Sequence, residues 1–327
     1  MSTSSKRLDL LVLGELNPDL ILRGEDPTPE FGQVEKLVEL GTLAVGSSSA
    51  ILACAAARLG LRTGFVGLVG DDVLGRFMLD ELEARGVETT GCAVERGAST
   101  GVSVIIDSAS NETGRAILTA PGAMARFGAE HVAADLLADA RHVHCGGFFL
   151  LEALQPALAG LFATAGRAGA TRSLDTNWDP SGRWDAVTAE LLAECDLLLP
   201  NRAEALKLAG AASLDAAVDR LSAGGTELAV KLGAEGGLLR RSGVTFVSRA
   251  PRLDVVDTTG AGDCFDAGAI LGFLEGWPPD RLLPFAVACG SLSTGRIGGT
   301  AGQPTLAEAT RAAATISVDR LQGQVGG

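Results

Sequence analysis

The chain has 327 residues, 46% of them hydrophobic, which is enough to bury a sizeable core in one large α/β domain or two smaller ones. Forty acidic against 27 basic residues give a formal charge of −13, which excludes a basic face for nucleic acid, since phosphate backbones are bound by clustered Lys and Arg. No run reaches the roughly 18 apolar residues of a membrane helix, and the six cysteines are scattered without a C-x-x-C pair. A reduced, cytoplasmic protein with no membrane partner is the reading.

Leu8–Leu13 predicts a buried strand. Ala50–Leu59 predicts a small-residue helix stopped by Gly60, and Gly64–Val69 is strand-like again. In Val73–Arg85 the apolar Leu74, Phe77, Met78 and Leu82 fall on one helical face, with Gly86 at its C-terminal stop. His142–Cys145, Thr171–Leu174, Leu197–Leu199 and Leu228–Leu232 are short apolar strands, each followed by a helical stretch. Strands alternating with helices predict a mainly parallel sheet covered on both faces. His142 and His144 alternate within the strand-like RHVHCGGFF without a third ligand in sequence reach, so they read as structural rather than metal-binding.

Two excursions break this rhythm. Residues from about 15 to 45 contain Pro27, Pro29 and Gly32 before a β-prone piece. Within about 98–122, Thr100–Asp107 and Arg115–Thr119 form a strand pair across the polar turn SASNETG. They could pair into a small sheet outside the main one, as a lid or as plain surface elaboration. The tail after Val318 is Gly- and Gln-rich and is expected to fray.

The stretch that carries chemistry is DVVDTTGAGDCFDAG, Asp254–Gly268. Gly260 and Gly262 permit a tight turn, and the amides around Gly260, Ala261, Gly262 and Asp263 would open a helix N-terminus, a ready anion site. Asp263 in the first turn could accept a proton from an attacking hydroxyl, or it could simply cap the helix. No Walker-A motif occurs, which excludes a P-loop kinase. Phe265 stands where a dinucleotide fingerprint needs its third Gly.

DTTGAGDCFDAG resembles the C-terminal signature of the ribokinase (phosphofructokinase-B) family of carbohydrate and nucleoside kinases. The likeness runs through nearly the whole chain. GELNPDLIL resembles the family's first strand, and VGSSSAILACAAARLG with VGLVGDDVLG its N-terminal signature. SLDTNWDPSGRW resembles a strand-end motif, PNRAEA the N-x-x-E pattern, and VKLGAEGGLL the segment beside the nucleotide.

The resemblance implies a single ribokinase-like domain over 1–327, a three-layer α/β/α fold with a β-lid. It implies ATP and Mg²⁺ as cofactors, with phosphoryl transfer to a hydroxyl of a small sugar or polyol. Asp263 would be the general base and Gly260, Ala261 and Gly262 the anion hole. Asn17, Asp19, Gly46 and Ser47 would bind substrate. Asn201, Glu204, Lys231, Gly233 and Gly236 would bind ATP, with Glu204 acting indirectly on Mg²⁺. Asp257 and Thr259 match positions near which some members hold a monovalent cation such as K⁺, and the lid is where two copies would pair.

The chain departs from the family at the first signature. Ser47 replaces the second Gly, Ser48 and Ser49 follow, and Ile51 stands at the usual Asn. Asp175-Thr176-Asn177 lacks the usual Pro. Asn17, Asp19 and three serines, with no Lys in that loop, suit a neutral polyol rather than a phosphorylated substrate. A nucleoside is the alternative substrate, although the chain has no Tyr to stack a base. A non-catalytic sugar sensor would not need the intact GAGD and N-x-x-E, and a dehydrogenase would need the missing fingerprint.

Overall fold

The computed structural model describes residues 6–32, 34–108 and 115–321. Its first strand, β1 (Leu8–Leu13), is buried along its whole length. Leu10 and Val12 enter one apolar cluster and Leu11 and Leu13 another, so the strand needs a helical layer on each side. The chain continues through β2 (Pro18–Gly24), β3 (Leu40–Val45), α1 (Ser48–Arg58), β4 (Thr63–Val66), β5 (Leu68–Gly70) and α2 (Val73–Ala84). Then come β6 (Ala93–Glu95), β7 (Val102–Ser108), β8 (Arg115–Ala120), α3 (Ala134–Ala138), β9 (Ala140–Cys145), α4 (Leu158–Arg167) and β10 (Thr171–Leu174). Next are α5 (Ala189–Ala193), β11 (Leu197–Leu198), α6 (Arg202–Ala209), α7 (Leu214–Leu221), β12 (Glu227–Lys231), β13 (Gly237–Arg241) and β14 (Val244–Ser248). The chain closes with α8 (Ala261–Leu274), α9 (Pro279–Ser293), α10 (Leu306–Ala313) and β15 (Val318–Leu321).

The main sheet has nine strands in the order β15-β14-β13-β12-β11-β10-β9-β1-β4. From β12 to β4 all neighbours are parallel; β13, β14 and β15 add an antiparallel edge. The predicted mainly parallel sheet is therefore present. α8, apolar on every face beyond Asp263 and Asp266 near its start, is sandwiched against α1 and α9. A Cβ on its Gly268 would stand 3.0 Å from Ala286 Cα and from Cys289 Sγ, so the absent side chain sets how closely α8 and α9 pack.

Both excursions join in one four-stranded sheet, β3-β2-β7-β8, which is the lid. Of the predicted turn SASNETG, residues 109–114 lie outside the described residues. His142 and His144 are fully buried as expected, 2.7 and 2.8 Å from Ser173 Oγ. Burial pulls His144 down to about 4, keeping it neutral.

Two expectations are corrected. The strand anticipated over Gly64–Val69 divides at Gly67, where a Cβ would stand 2.9 Å from Gly14 O; β4 stays in the main sheet and β5 pairs with β6 instead. The tail does not fray directly after Val318: β15 pairs with β14 from Thr245 to Ser248, taking up the edge that β14 would otherwise expose.

Candidate active site

Most of the candidate residues lie just beyond the carboxyl ends of the parallel strands, where open α/β sheets bind ligands. β1 leads into Glu15 and Asn17, β10 into Asp175 and Asn177, and β11 into Asn201 and Glu204. β12 ends on Lys231. Two cavities meet there. One, of about 500 Å³, has apolar walls from Pro251, Leu253, Val255, Phe265 and Val287, and also takes in Gly233 and Gly236. The other, of about 330 Å³, lies between the body and the lid and is lined by Asn17, Asp19, Ser47, Asn201, Glu204 and Asp263. Lys231, Thr258 and Gly262 line both and mark the seam.

The TTGAGD turn opens α8 at this seam. Gly260 has φ 76°, and a Cβ there would stand 2.8 Å from Gly299 Cα, so only glycine fits. The Ala261 amide turns back onto Thr258 O at 3.2 Å. Of the amides expected to form an anion site, those of Gly260, Gly262 and Asp263 therefore remain without an acceptor among the described residues, as a helix N-terminus leaves them. Burial pushes the Asp263 carboxyl well above the ordinary carboxylate range; Lys231 opposes this, while Asp175, Glu15 and Asp19 add to it. Asp263 is thus a carboxylate that takes up a proton readily.

On the lid side, burial pushes Asp19 up to about 7, with Arg115 opposing and Glu15 and Asp257 adding. Asn17 Nδ2 donates to Ser103 Oγ on β7 (3.1 Å) and to Pro18 O. Ser47 and Ser48 line this cavity, but all three serine hydroxyls are engaged within the loop. Ser47 takes φ 66°, the left-handed conformation that a glycine would hold without strain, and caps α1. Its hydroxyl donates to Glu15 O and accepts from Ala50 N. Ser48 donates to Glu15 Oε1 at 2.7 Å, and Ser49 donates to Glu15 Oε2. Buried Glu15 thus organises the whole loop, and Asn177 Nδ2 joins it by donating to Ser48 Oγ at 2.6 Å.

Asn201 and Glu204 form a capping box at the start of α6: Glu204 N donates to Asn201 Oδ1 (3.0 Å) and Asn201 N to Glu204 Oε2 (2.8 Å). Both line the lid-side cavity rather than the apolar one. Burial pushes Glu204 up to about 7, with Asp175 adding and Lys231 opposing. A carboxylate this short of counter-charge suits a hard divalent cation such as Mg²⁺.

Asp257 lines neither cavity. Its Oδ1 accepts from Thr259 N and Oγ1 and its Oδ2 from Gly298 N, while Arg115 Nη1 donates to Thr259 Oγ1 at 2.7 Å. These donors already satisfy the pair matched to a monovalent cation, and the residues give no separate support for K⁺.

Sequence reasoning missed Glu15, Arg115, Asp175, Asn177 and Asp266. Glu15, Asp175, Asn177 and Asp266 lie inside recognised motifs but were given no role there, because their partners are set only by the fold. Arg115 reads in sequence as an ordinary strand charge.

The chain is similar to known proteins along most of its length. The model of the pfkB family carbohydrate kinases matches residues 7–306. The chain is 32% identical over 293 residues to an ATP-dependent ribose-1-phosphate kinase of Halopiger xanaduensis, covering 88% of this chain and 93% of that protein. It is similar to the structure of Arabidopsis thaliana ribokinase complexed with ribose and ATP (TM-score 0.81, 25% identity, 94% and 98% of the two chains). It shares its fold with a provisionally named ribokinase II of E. coli, solved with ATP and Mg²⁺ (TM-score 0.81, 24% identity, 93% and 98%). No helix among the described residues is long and apolar enough to cross a membrane. With the family matched along almost the whole chain, and an apolar cavity meeting a polar one at GAGD, this protein belongs to the pfkB family as an ATP-dependent carbohydrate kinase.

Proposed function

We propose that the protein transfers the γ-phosphoryl group of ATP to a hydroxyl of a small neutral sugar or polyol, with Asp263 as general base. The observation that carries this is the position of Asp263 on the acceptor side of the seam that Lys231 and Gly262 share with the apolar cavity. Asp263 takes the hydroxyl proton as the oxygen attacks, and the open amides of the α8 turn, Gly262 foremost, receive the charge of the phosphoryl group. ATP lies along the apolar cavity past Gly233, Gly236 and Lys231. Mg²⁺, reached from Glu204 and Asn201, neutralises phosphate charge when bound.

Asp19 and Asn17 bind the acceptor. Five carboxylates, Glu15, Asp19, Asp175, Glu204 and Asp263, outnumber Arg115 and Lys231 on the wall of the lid-side cavity, which favours hydroxyls over a second phosphate. Ile51, Ile105 and Ile117 also line it and supply apolar wall against which a nucleobase could pack, so a nucleoside is the second reading. An ADP-release screen over pentoses, hexoses, inositols, ribose 1-phosphate and nucleosides separates them. Turnover confined to nucleosides, or to phosphorylated sugars, would overturn the neutral-sugar reading.

Residues 1–327 read as one kinase domain carrying its own lid. Leu43, Leu20, Val104 and Leu118 are register partners across the four lid strands, the row alternate to the one that holds Ile105 and Ile117. Leu43 and Leu118 are exposed, which supports two copies pairing through the lid; light scattering tests it. The six unpaired thiols suit the cytoplasm.

A further inference from the structure

Lys231 is the charged member of the seam, and its ammonium is held on two sides. Nζ donates to Asp175 Oδ2 and to Asp266 Oδ2, each at 2.8 Å. The two carboxylate side chains are 3% and 0% exposed and the Lys231 side chain 13%. One grip comes from the end of β10, the other from α8, the helix that also carries Asp263. A Cβ on Gly262 would stand 3.3 Å from Lys231 Cδ and 3.9 Å from Nζ, which sets the ammonium against the open amides. Oxygens of Asp175, Asp263 and Asp266 lie within 4.8 Å of one another, so the lysine sits among three carboxylates.

Packing does not explain Asp266. It is fully buried, its Oδ1 has no hydrogen-bond partner among the described residues, burial and Asp175 push its carboxyl well above the ordinary range against the pull of Lys231, and an apolar residue of that size would fill the space at lower cost. What the carboxylate does provide is a fixed direction for a flexible four-carbon side chain that ends in a strongly hydrated charge.

We infer that Asp266 is a positioning residue for phosphoryl transfer: with Asp175 it clamps the Lys231 ammonium across the seam, facing the phosphoryl group as it moves. The inference rests on the kinase reading above. A preorganised charge needs no rearrangement as negative charge develops, whereas a loose lysine must first be oriented. Burial alone would pull the Lys231 ammonium toward neutrality, but Asp175 and Asp266 outweigh it and keep the charge in place.

The test is a double-mutant cycle of Asp266→Asn and Lys231→Met, with kcat, both KM values, melting temperature and binding of a fluorescent ATP analogue measured for each protein. Asp266→Asn should lower kcat about 10- to 100-fold and leave the sugar KM within about twofold. In the Lys231→Met background it should cost nothing further, because it acts through the lysine. Unchanged kcat in Asp266→Asn, or losses that multiply in the double variant, would overturn the inference. If Asp266→Asn does not fold, Asp266→Leu with Lys231→Met replaces the buried pair by apolar groups. Its kcat should equal that of Lys231→Met alone, and a further loss would count against the clamp. A parent enzyme that releases ADP with no acceptor defeats the kinase reading and this inference with it; a parent that turns over beside an unimpaired Asp266→Asn defeats only the clamp.

Discussion

Gly46 lies so close to Asp19 that a Cβ on it would stand 2.2 Å from Asp19 Oδ1 and 2.7 Å from the Asp19 amide nitrogen. This is where β3 runs out of the lid and β2 enters it, so backbone and carboxylate are seated together. Gly46→Ala should displace Asp19, raising the sugar KM about tenfold or more and costing about 1–3 kcal/mol of stability. Isothermal titration with the best acceptor from the screen checks it; parent-like affinity would mean that Asp19 does not hold substrate.

Asp263→Asn keeps the size of the side chain but removes its capacity to accept a proton. Turnover should fall by about 10² to 10⁴ while binding of an ATP analogue stays within a few-fold of the parent. Activity close to the parent's would remove Asp263 from the role of base.

Gly262→Val adds a branched side chain where even a single Cβ would meet Lys231 Cδ at 3.3 Å. It should displace the ammonium and crowd the open amides together, lowering kcat by roughly 10² to 10³. A variant defective only in sugar affinity, with saturated turnover intact, would show that this turn does not face the phosphoryl group.

The buried carboxylates set a pH dependence of definite sign. Asp19 moves from 3.8 to about 7 and Glu204 from 4.5 to about 7, both chiefly by burial. Between those values the folded protein holds protons that the unfolded chain has lost, so stability is full at low pH in this window and falls as pH rises through about 7. Asp19→Asn should therefore raise the melting temperature of the free protein more at pH 8 than at pH 5, by the equivalent of about 1–3 kcal/mol. Thermal scans at the two pH values decide it, and an equal shift at both would refute the linkage. Turnover runs the other way: Asp263 must be deprotonated to act, so kcat/KM should climb with pH along an acid limb lying above the ordinary carboxylate range.

Local pattern made much of this legible in the sequence. GAGD marked a helix start, and the Pro- and Gly-marked excursions marked a small sheet outside the main one; the anion hole and the lid followed only from the family resemblance. What stayed hidden depends on partners brought together by the fold. Lys231 meets Asp175 and Asp266 across 56 and 35 residues of chain, and neither separation leaves a trace in periodicity. The partners of the serine loop were hidden for a related reason: its hydroxyls look free in sequence, yet buried Glu15 two elements earlier takes two of the three on its carboxylate and the third on its carbonyl. The break at Gly67 could not be foreseen because it depends on the closeness of Gly14 O.

The strand β15 also governs how the protein tolerates being shortened. It covers β14 from Thr245 to Ser248, and β14 would otherwise be the rim of the nine-stranded sheet. Cutting the chain ahead of Val318 would strip that rim and leave a row of unsatisfied amides and carbonyls, the surface on which strands of neighbouring molecules align. Such a fragment would keep every residue of the two cavities and yet tend to clump through its bare edge.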